Sequence, residues 1–184
     1  MTREQFIIEL EKLGIKLTEL QKKQLEQFYK LLITWNEKIN LTRITSKEDV
    51  YLKHFYDSLT IVKVVNLEEK ATLCDIGTGA GFPGIVLKIA YPHLKITLVD
   101  ALQKRVNYLN EVINDLGLKD IEAIHVRGEN LKEKYDVVTA RAVANIEKLL
   151  GYTMHLVKKD GIFVAMKGNI TEELTVSVEK KISA

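Results

Sequence analysis

The residue types best suited to chemistry are concentrated in Leu73-Cys74-Asp75-Ile76-Gly77-Thr78-Gly79-Ala80-Gly81-Phe82-Pro83-Gly84. An apolar run ends at alternating glycines, with a carboxylate two positions before the first of them. This pattern predicts a β-strand that stops at a tight turn and restarts as a helix, so that a ligand can approach the backbone at the end of a parallel strand. Nicotinamide-binding turns use Gly-x-Gly-x-x-Gly, usually without an acid just upstream. Here the spacing is Asp-x-Gly-x-Gly-x-Gly, with Gly77 and Gly79 giving backbone access and Asp75 placed to meet a cation. S-adenosylmethionine carries an ammonium and a sulfonium and no phosphate, so the turn points to a methyl donor rather than a dinucleotide. The plainer reading of Asp75 is a turn or helix-cap acid.

Asp100 ends the next apolar run, 19 positions after Gly81. An acid at that place in a Rossmann-type unit can accept from both ribose hydroxyls. The third run ends in Arg127-Gly128-Glu129-Asn130, expected on the same carboxyl edge of the sheet. There Gly128 or Glu129 can border an adenine, or Glu129 can be a first-turn acid favoured by the helix dipole.

The fourth run ends in Thr139-Ala140-Arg141-Ala142. Enzymes that methylate exocyclic amines often carry Asn/Asp-Pro-Pro-Tyr at this point; this chain has an arginine instead. Guanine N7 has a free in-plane lone pair and no proton to shed, so a site for it needs alignment rather than a general base. Arg141 can hold guanine O6, a phosphate or the methionine carboxylate, or can form a surface ion pair. Basic residues at the inferred edge (Lys53, His54, Lys104, Arg105, Arg127, Arg141 and Lys167) suit a polyanion. Taken singly, each is equally a solvated side chain.

These positions need a scaffold. Apolar strand candidates fall at 72–76, 95–100, 121–126, 136–140 and 161–167, with helical stretches at 83–90, 102–116 and 145–157, a short turn at 129–132 and a last helix at 171–182. Such alternation predicts a parallel, doubly wound sheet with helices on both faces. Residues 1–66 read as a helical extension and 67–184 as the Rossmann-like core, packed as one unit. Thr2–Gln5 and Thr18–Gln21 have the form of capping boxes, and Gly14 closes the first helix. Leu20, Leu25, Phe28, Leu31, Leu32 and Trp35 recur at helical spacing, and a further helical region covers 51–65.

With 184 residues, 46% of them apolar, the chain can bury a sizeable core. No apolar run approaches the roughly 20 residues that span a bilayer, and the first residues lack a signal-peptide core. Cys74 is the single cysteine, which excludes an internal disulfide and fits a cytoplasmic setting. A net charge of +2 makes any nucleic-acid contact a matter of a local patch. His54, His93, His125 and His155 lack metal-ligand spacing, and no Gly-x-Ser-x-Gly elbow is present, so neither a metal nor a nucleophilic serine is expected.

Several segments together resemble the bacterial 16S ribosomal RNA guanine-N7 methyltransferases. They are Trp35-Asn36-Glu37-Lys38-Ile39-Asn40-Leu41-Thr42, His54-Phe55-Tyr56-Asp57-Ser58-Leu59, Asp75–Gly84, Lys104-Arg105-Val106, Thr139-Ala140-Arg141-Ala142 and Lys167-Gly168. The resemblance implies a class I S-adenosylmethionine-dependent methyltransferase fold, with S-adenosyl-L-homocysteine as the product left after transfer to small-subunit RNA. It implies cofactor contacts at Gly77, Phe82, Gly128, Glu129 and Arg141. Members of that family usually continue into a closing antiparallel β-hairpin. This chain ends at Ala184, so the strand at 161–167 is expected at an exposed edge. The combined expectation is a monomer acting on 16S ribosomal RNA or the small subunit. Asp75, Gly77, Gly79, Phe82, Asp100, Gly128, Glu129 and Arg141 hold the cofactor, and Arg141, Lys104 and Arg105 position the reactants. The competing classes are a methyltransferase of another substrate and a non-catalytic cofactor- or RNA-binding protein.

Overall fold

The computed structural model describes residues 1–141 and 145–166. Two capping boxes start its helices. Thr2 accepts from the backbone N–H of Gln5 and Gln5 accepts from that of Thr2, which opens α1 (Arg3–Lys12). Thr18 and Gln21 do the same for α2 (Glu19–Asn36). Gly14 follows α1 in the left-handed region, at φ +78. The buried stripe of α2 is Leu25, Phe28 and Leu32. Leu20 belongs to the same periodicity but lies in the first turn, before α2 meets the core, and is exposed.

A third helical run begins earlier than its apolar spacing predicts. Ser46 caps α3 (Lys47–Val50), which continues through a π-helical turn (Tyr51–Tyr56) into α4 (Asp57–Leu59) and a 3-10 turn (Thr60–Lys63). Such a widened turn often marks a functional position, because it re-aims side chains that regular spacing would send elsewhere. Here it turns Tyr51, His54 and Phe55 inward.

From residue 72 strands and helices alternate: β1 (Thr72–Ile76), α5 (Gly84–Ala90), β2 (Lys95–Asp100), α6 (Gln103–Asp115), β3 (Ile121–His125), β4 (Tyr135–Arg141), α7 (Ile146–Thr153) and β5 (Val157–Met166). The five strands pair in parallel in the order β3-β2-β1-β4-β5. The chain thus starts in the middle of the sheet, builds one side and crosses to the other. That crossing creates a switch point between β1 and β4, where open α/β sheets bind ligands. β5 begins before Gly161, and its pairing with β4 shifts register between Tyr135 and Val137. Lys167 and the helix expected at 171–182 lie outside the described residues.

Alternation along the strands separates two cores. Leu73, Ile96, Leu98 and Val137 pack with residues of α5, α6 and the helical extension. Cys74, Ile76, Val99 and Val138 face the other way, towards Leu149 and Leu150 of α7 and Leu156. The first core runs without a break from Phe6 and Leu10 to Leu109 and Val112, so the extension and the sheet bury one shared apolar surface. Phe28 stacks on Phe55 at 5.7 Å and lies 5.3 Å from Phe82 of the glycine turn. Truncating such a buried phenylalanine to alanine costs about 3–5 kcal/mol. Phe28 therefore links the stability of the extension to the position of the turn.

Candidate cofactor site at the glycine turn

After Ile76 the chain reverses over the carboxyl end of β1. Gly77, Gly79 and Gly81 all take left-handed conformations, with φ of +62, +58 and +100. Thr78 donates its N–H to the Val99 carbonyl at 3.1 Å, and Ile85 donates to Gly81 at 2.8 Å, leading the turn into α5. Apart from chain neighbours, no described atom lies within 4 Å of a Cβ built at Gly77, and Gly79 meets only its own turn at 3.9 Å. The space over these two residues is open. The other side of the turn is tight. A Cβ at Gly84 would collide with Leu98 and lie 2.9 Å from the Asp75 carboxylate, so α5 can start this close to the sheet only from a glycine.

Asp75 explains that closeness. Its Oδ2 accepts from Thr78 Oγ1 at 2.7 Å and from the Gly84 N–H at 2.8 Å, and its Oδ1 from Thr139 Oγ1 at 3.2 Å. The residue is 0% exposed. Its carboxylate joins β1, the turn, α5 and β4, and has no open path to a ligand cation. Burial pushes its pKa up to about 6, against the pull of those three donors. The turn-acid reading fits these contacts. Asp75 braces the turn from below.

Asp100 stands at the end of β2, with Oδ2 accepting the Gly79 N–H at 2.9 Å and Oδ1 the Leu102 N–H at 3.0 Å. Each oxygen keeps a second lone pair for a further donor. Arg105 comes within 3.6 Å of Oδ2, so this arginine faces the Asp100 carboxylate. Lys104 is exposed in the first turn of α6. That turn contains no acid, so two cations sit at the positive end of the helix dipole, where they weaken the helix. Gly128 and Glu129 form a 3-10 turn just beyond β3. A Cβ at Gly128 would come 3.3 Å from Ile76, and Glu129 is exposed.

At the end of β4, Arg141 is gripped by the helical extension. Its Nη1 donates to the Lys53 carbonyl at 3.2 Å and to Asp57 Oδ2 at 3.4 Å, and its Nη2 donates to His54 Nδ1 at 2.6 Å. The guanidinium carbon lies 5.2 Å from the centre of the Phe82 ring, a cation–π arrangement. His54 stacks on Phe82 at 4.3 Å with the rings 8° from parallel. It is 5% exposed, and burial together with Arg141 pushes its pKa down to about 3. This corrects the expectation that His54 joins a basic edge: at neutral pH it is uncharged and inside. Thr42, which bonds His54 Nε2 at 2.8 Å, lies with His54 and Asp57 in the two N-terminal segments that carried the resemblance, yet the meeting of His54 and Asp57 with Arg141 has no local sequence signature. A polar residue on the apolar stripe of a helix was the one available hint.

The remaining histidines bond backbone carbonyls: His93 that of Leu67, His125 that of Ala101 and His155 that of Leu131. Among the described residues no group of three or more His, Cys, Asp or Glu side chains could hold a metal ion. Cys74 is buried, and burial raises its thiol pKa, as for a core thiol. Arg127 is exposed.

The open turn, with backbone at the surface beside an acid that has lone pairs to offer, fits a nucleoside carrying a methionine tail. Sheet order, switch point and turn together define a class I S-adenosylmethionine-dependent methyltransferase. Solved structures agree on the fold. One is an S-adenosylmethionine-dependent methyltransferase from Aquifex aeolicus, with a TM-score of 0.54 and 22% identity over 72% of this chain and 71% of that one. The StiE O-MT segment superposes with a TM-score of 0.58 at 16% identity, over 72% of this chain and 50% of that one. Residues 21–184 match the model of the family described as rRNA small subunit methyltransferase G, and the chain belongs to that family. A curated relative of that name from Bacillus pumilus is 47% identical across 100% of this chain and 79% of its own length. One from Lactobacillus helveticus is 50% identical across 94% of this chain and 75% of its own.

Proposed function

We propose that this protein transfers the methyl group of S-adenosylmethionine to N7 of a guanine in 16S ribosomal RNA of the small subunit. It acts as a monomer in the cytoplasm, on the naked RNA or on the particle. The observation that carries the acceptor reading is the end of β4. It presents a guanidinium anchored on three partners, and the one carboxylate beside it, that of Asp57, is engaged in an ion pair with that guanidinium rather than offered as a base. An acceptor that carries no proton requires none. No helix of the described residues is long and apolar enough to cross a membrane.

The bound cofactor supplies an electrophilic methyl group on a sulfonium. In the proposed site Gly77 and Gly79 let its methionine part lie on the backbone, Asp100 accepts from the ribose hydroxyls, and Gly128 with Glu129 borders the adenine. Phe82 closes one wall. Of the five N–H donors on the Arg141 guanidinium, three are engaged by Lys53, Asp57 and His54. The other two have no partner among the described residues, and in the proposed site they grip guanine O6, a phosphate or the methionine carboxylate. Lys104 and Arg127 draw the RNA backbone to the same edge, while Arg105 stands 3.6 Å from the Asp100 carboxylate. Fixed alignment of donor and acceptor supplies on the order of 7–11 kcal/mol of such a barrier.

The test is to incubate the protein with radiolabelled S-adenosylmethionine and under-methylated small subunits, then map the label. One labelled N7-methylguanine in the small-subunit RNA is expected. Label on an exocyclic amine would refute the acceptor assignment, and label in protein or small molecules the RNA assignment.

A further inference from the structure

The π-helical turn brings His54 to a place where the extension meets the carboxyl edge of β4. The guanidinium of Arg141 can only donate hydrogen bonds. The 2.6 Å contact from its Nη2 therefore requires a bare lone pair on His54 Nδ1, and the ring proton sits on Nε2. Nε2 is 2.8 Å from Thr42 Oγ1, which accepts that proton and also the Ile44 N–H at 3.0 Å. Arg141 thus sets the tautomer, and the Thr42 hydroxyl, which can accept as well as donate, receives the resulting Nε2 proton and holds the ring. The parallel stack on Phe82 fixes the plane of the ring, and Phe82 is itself packed on Phe28 and Phe55. The charged groups around this unit are Arg141, Asp57 from α4 and, behind Arg141, Asp75 from β1. A second cation on the ring would sit at hydrogen-bond distance from the guanidinium.

We propose that His54 is a positioning residue for methyl transfer, its neutral ring lending Nδ1 as the acceptor that aims Arg141 across Phe82 towards the reacting groups. Thr42 holds the ring through its Nε2–H, so the helical extension contributes to the chemistry and not only to stability or RNA affinity. The inference rests on the methyl-transfer reading above.

Three variants of the full chain separate this role from simple packing. His54→Phe keeps a flat ring on Phe82 and removes the acceptor. His54→Asn places an amide oxygen near the Nδ1 position. Thr42→Val leaves the Nε2–H without its partner and loosens the hold on the ring. With small subunits as substrate, His54→Phe is expected to lower kcat by roughly 100-fold, the scale of an ångström-sized misplacement. Its calorimetric affinity for S-adenosylmethionine and its KM for subunits should stay within about threefold. His54→Asn should restore most of kcat, and Thr42→Val should lose about tenfold. Wild-type kcat in His54→Phe, or an equal fall in His54→Asn at matched melting temperature, overturns the proposal. If His54→Phe does not fold, unchanged kcat in Thr42→Val overturns it. Nitrogen NMR of the wild-type ring is independent of turnover: the Nε2–H tautomer is expected from about pH 5 to pH 8, and an Nδ1–H tautomer sinks the idea. A wild-type chain that shows the expected tautomer but methylates no RNA would refute the functional reading instead.

Discussion

Asp100 Oδ2 accepts the backbone N–H of Gly79 at 2.9 Å, so the acid that ends β2 is also the clamp on the turn that follows β1. Residues 21 positions apart in sequence are thereby held at one geometry, with the remaining lone pairs of Asp100 beside the open backbone of the turn. Asp100→Ala removes the acceptors and the clamp together. A hydrogen bond to a charged group contributes about 1.5–3 kcal/mol, so affinity for S-adenosylmethionine should fall at least tenfold. Calorimetry checks this, with RNA affinity expected to stay within about threefold. Unchanged cofactor affinity would remove Asp100 from the site.

A pair of glycines separates backbone strain from ligand contact. Gly77 and Gly117 have nearly the same conformation, φ +62 and +63, and open space where a Cβ would stand. Alanine at either position carries the same left-handed penalty, about 1–2 kcal/mol. Only Gly77 lies on the turn after β1, where the cofactor is proposed to bind. Both variants should show similar melting temperatures, while Gly77→Ala alone loses cofactor affinity. Equal affinities in the two variants would mean that the ligand does not lie over Gly77.

The scaffold was legible because its strands are short apolar runs bounded by turn residues. β1 and β2 begin and end at the residues that their patterns predict. The inward direction of Asp75 was legible in part. It shares a strand face with Leu73, and alternation places that face under α5. Its commitment to Thr139, however, depends on a β1–β4 pairing that only the crossover creates. The meeting of His54 and Arg141 was not legible. It joins positions 87 apart through a π-helical turn whose widened spacing no hydrophobic period records. Local patterns report local geometry; the site is assembled from long-range contacts.

Asp75 predicts a distinctive pH response. Its pKa rises from 3.8 to about 6 on folding. The contribution of this group to stability is therefore complete below the unfolded value and is lost as pH rises through the folded one. Asp75→Asn keeps an acceptor for Thr78 and Gly84, and its amide can donate to Thr139 Oγ1. The variant should fold, and its stability relative to wild type should increase as pH is raised from about 4 to 7. Asp75→Ala should instead be destabilised at every pH, because each buried donor left without a partner costs about 1–3 kcal/mol. Urea unfolding of the three proteins across this range is the measurement. Parallel curves for wild type and Asp75→Asn would contradict the raised pKa.

Lys104 tests whether RNA approaches over the first turn of α6. The residue is exposed in the first turn of α6, and no acid of that turn offsets its charge. A lysine that contacts a phosphate releases condensed counterions, so its loss lowers the dependence of log affinity on log salt by about 0.7–0.9. Lys104→Ala should show that reduced slope with small-subunit RNA while cofactor affinity stays the same. Lys12 supplies the comparison: it is exposed on α1, paired with Glu9 at 2.6 Å, and its removal should leave the slope as it is. If Lys104→Ala keeps the wild-type slope, the RNA does not cross the start of α6. The phosphate contacts must then lie with Arg127 or with the extension around Lys53.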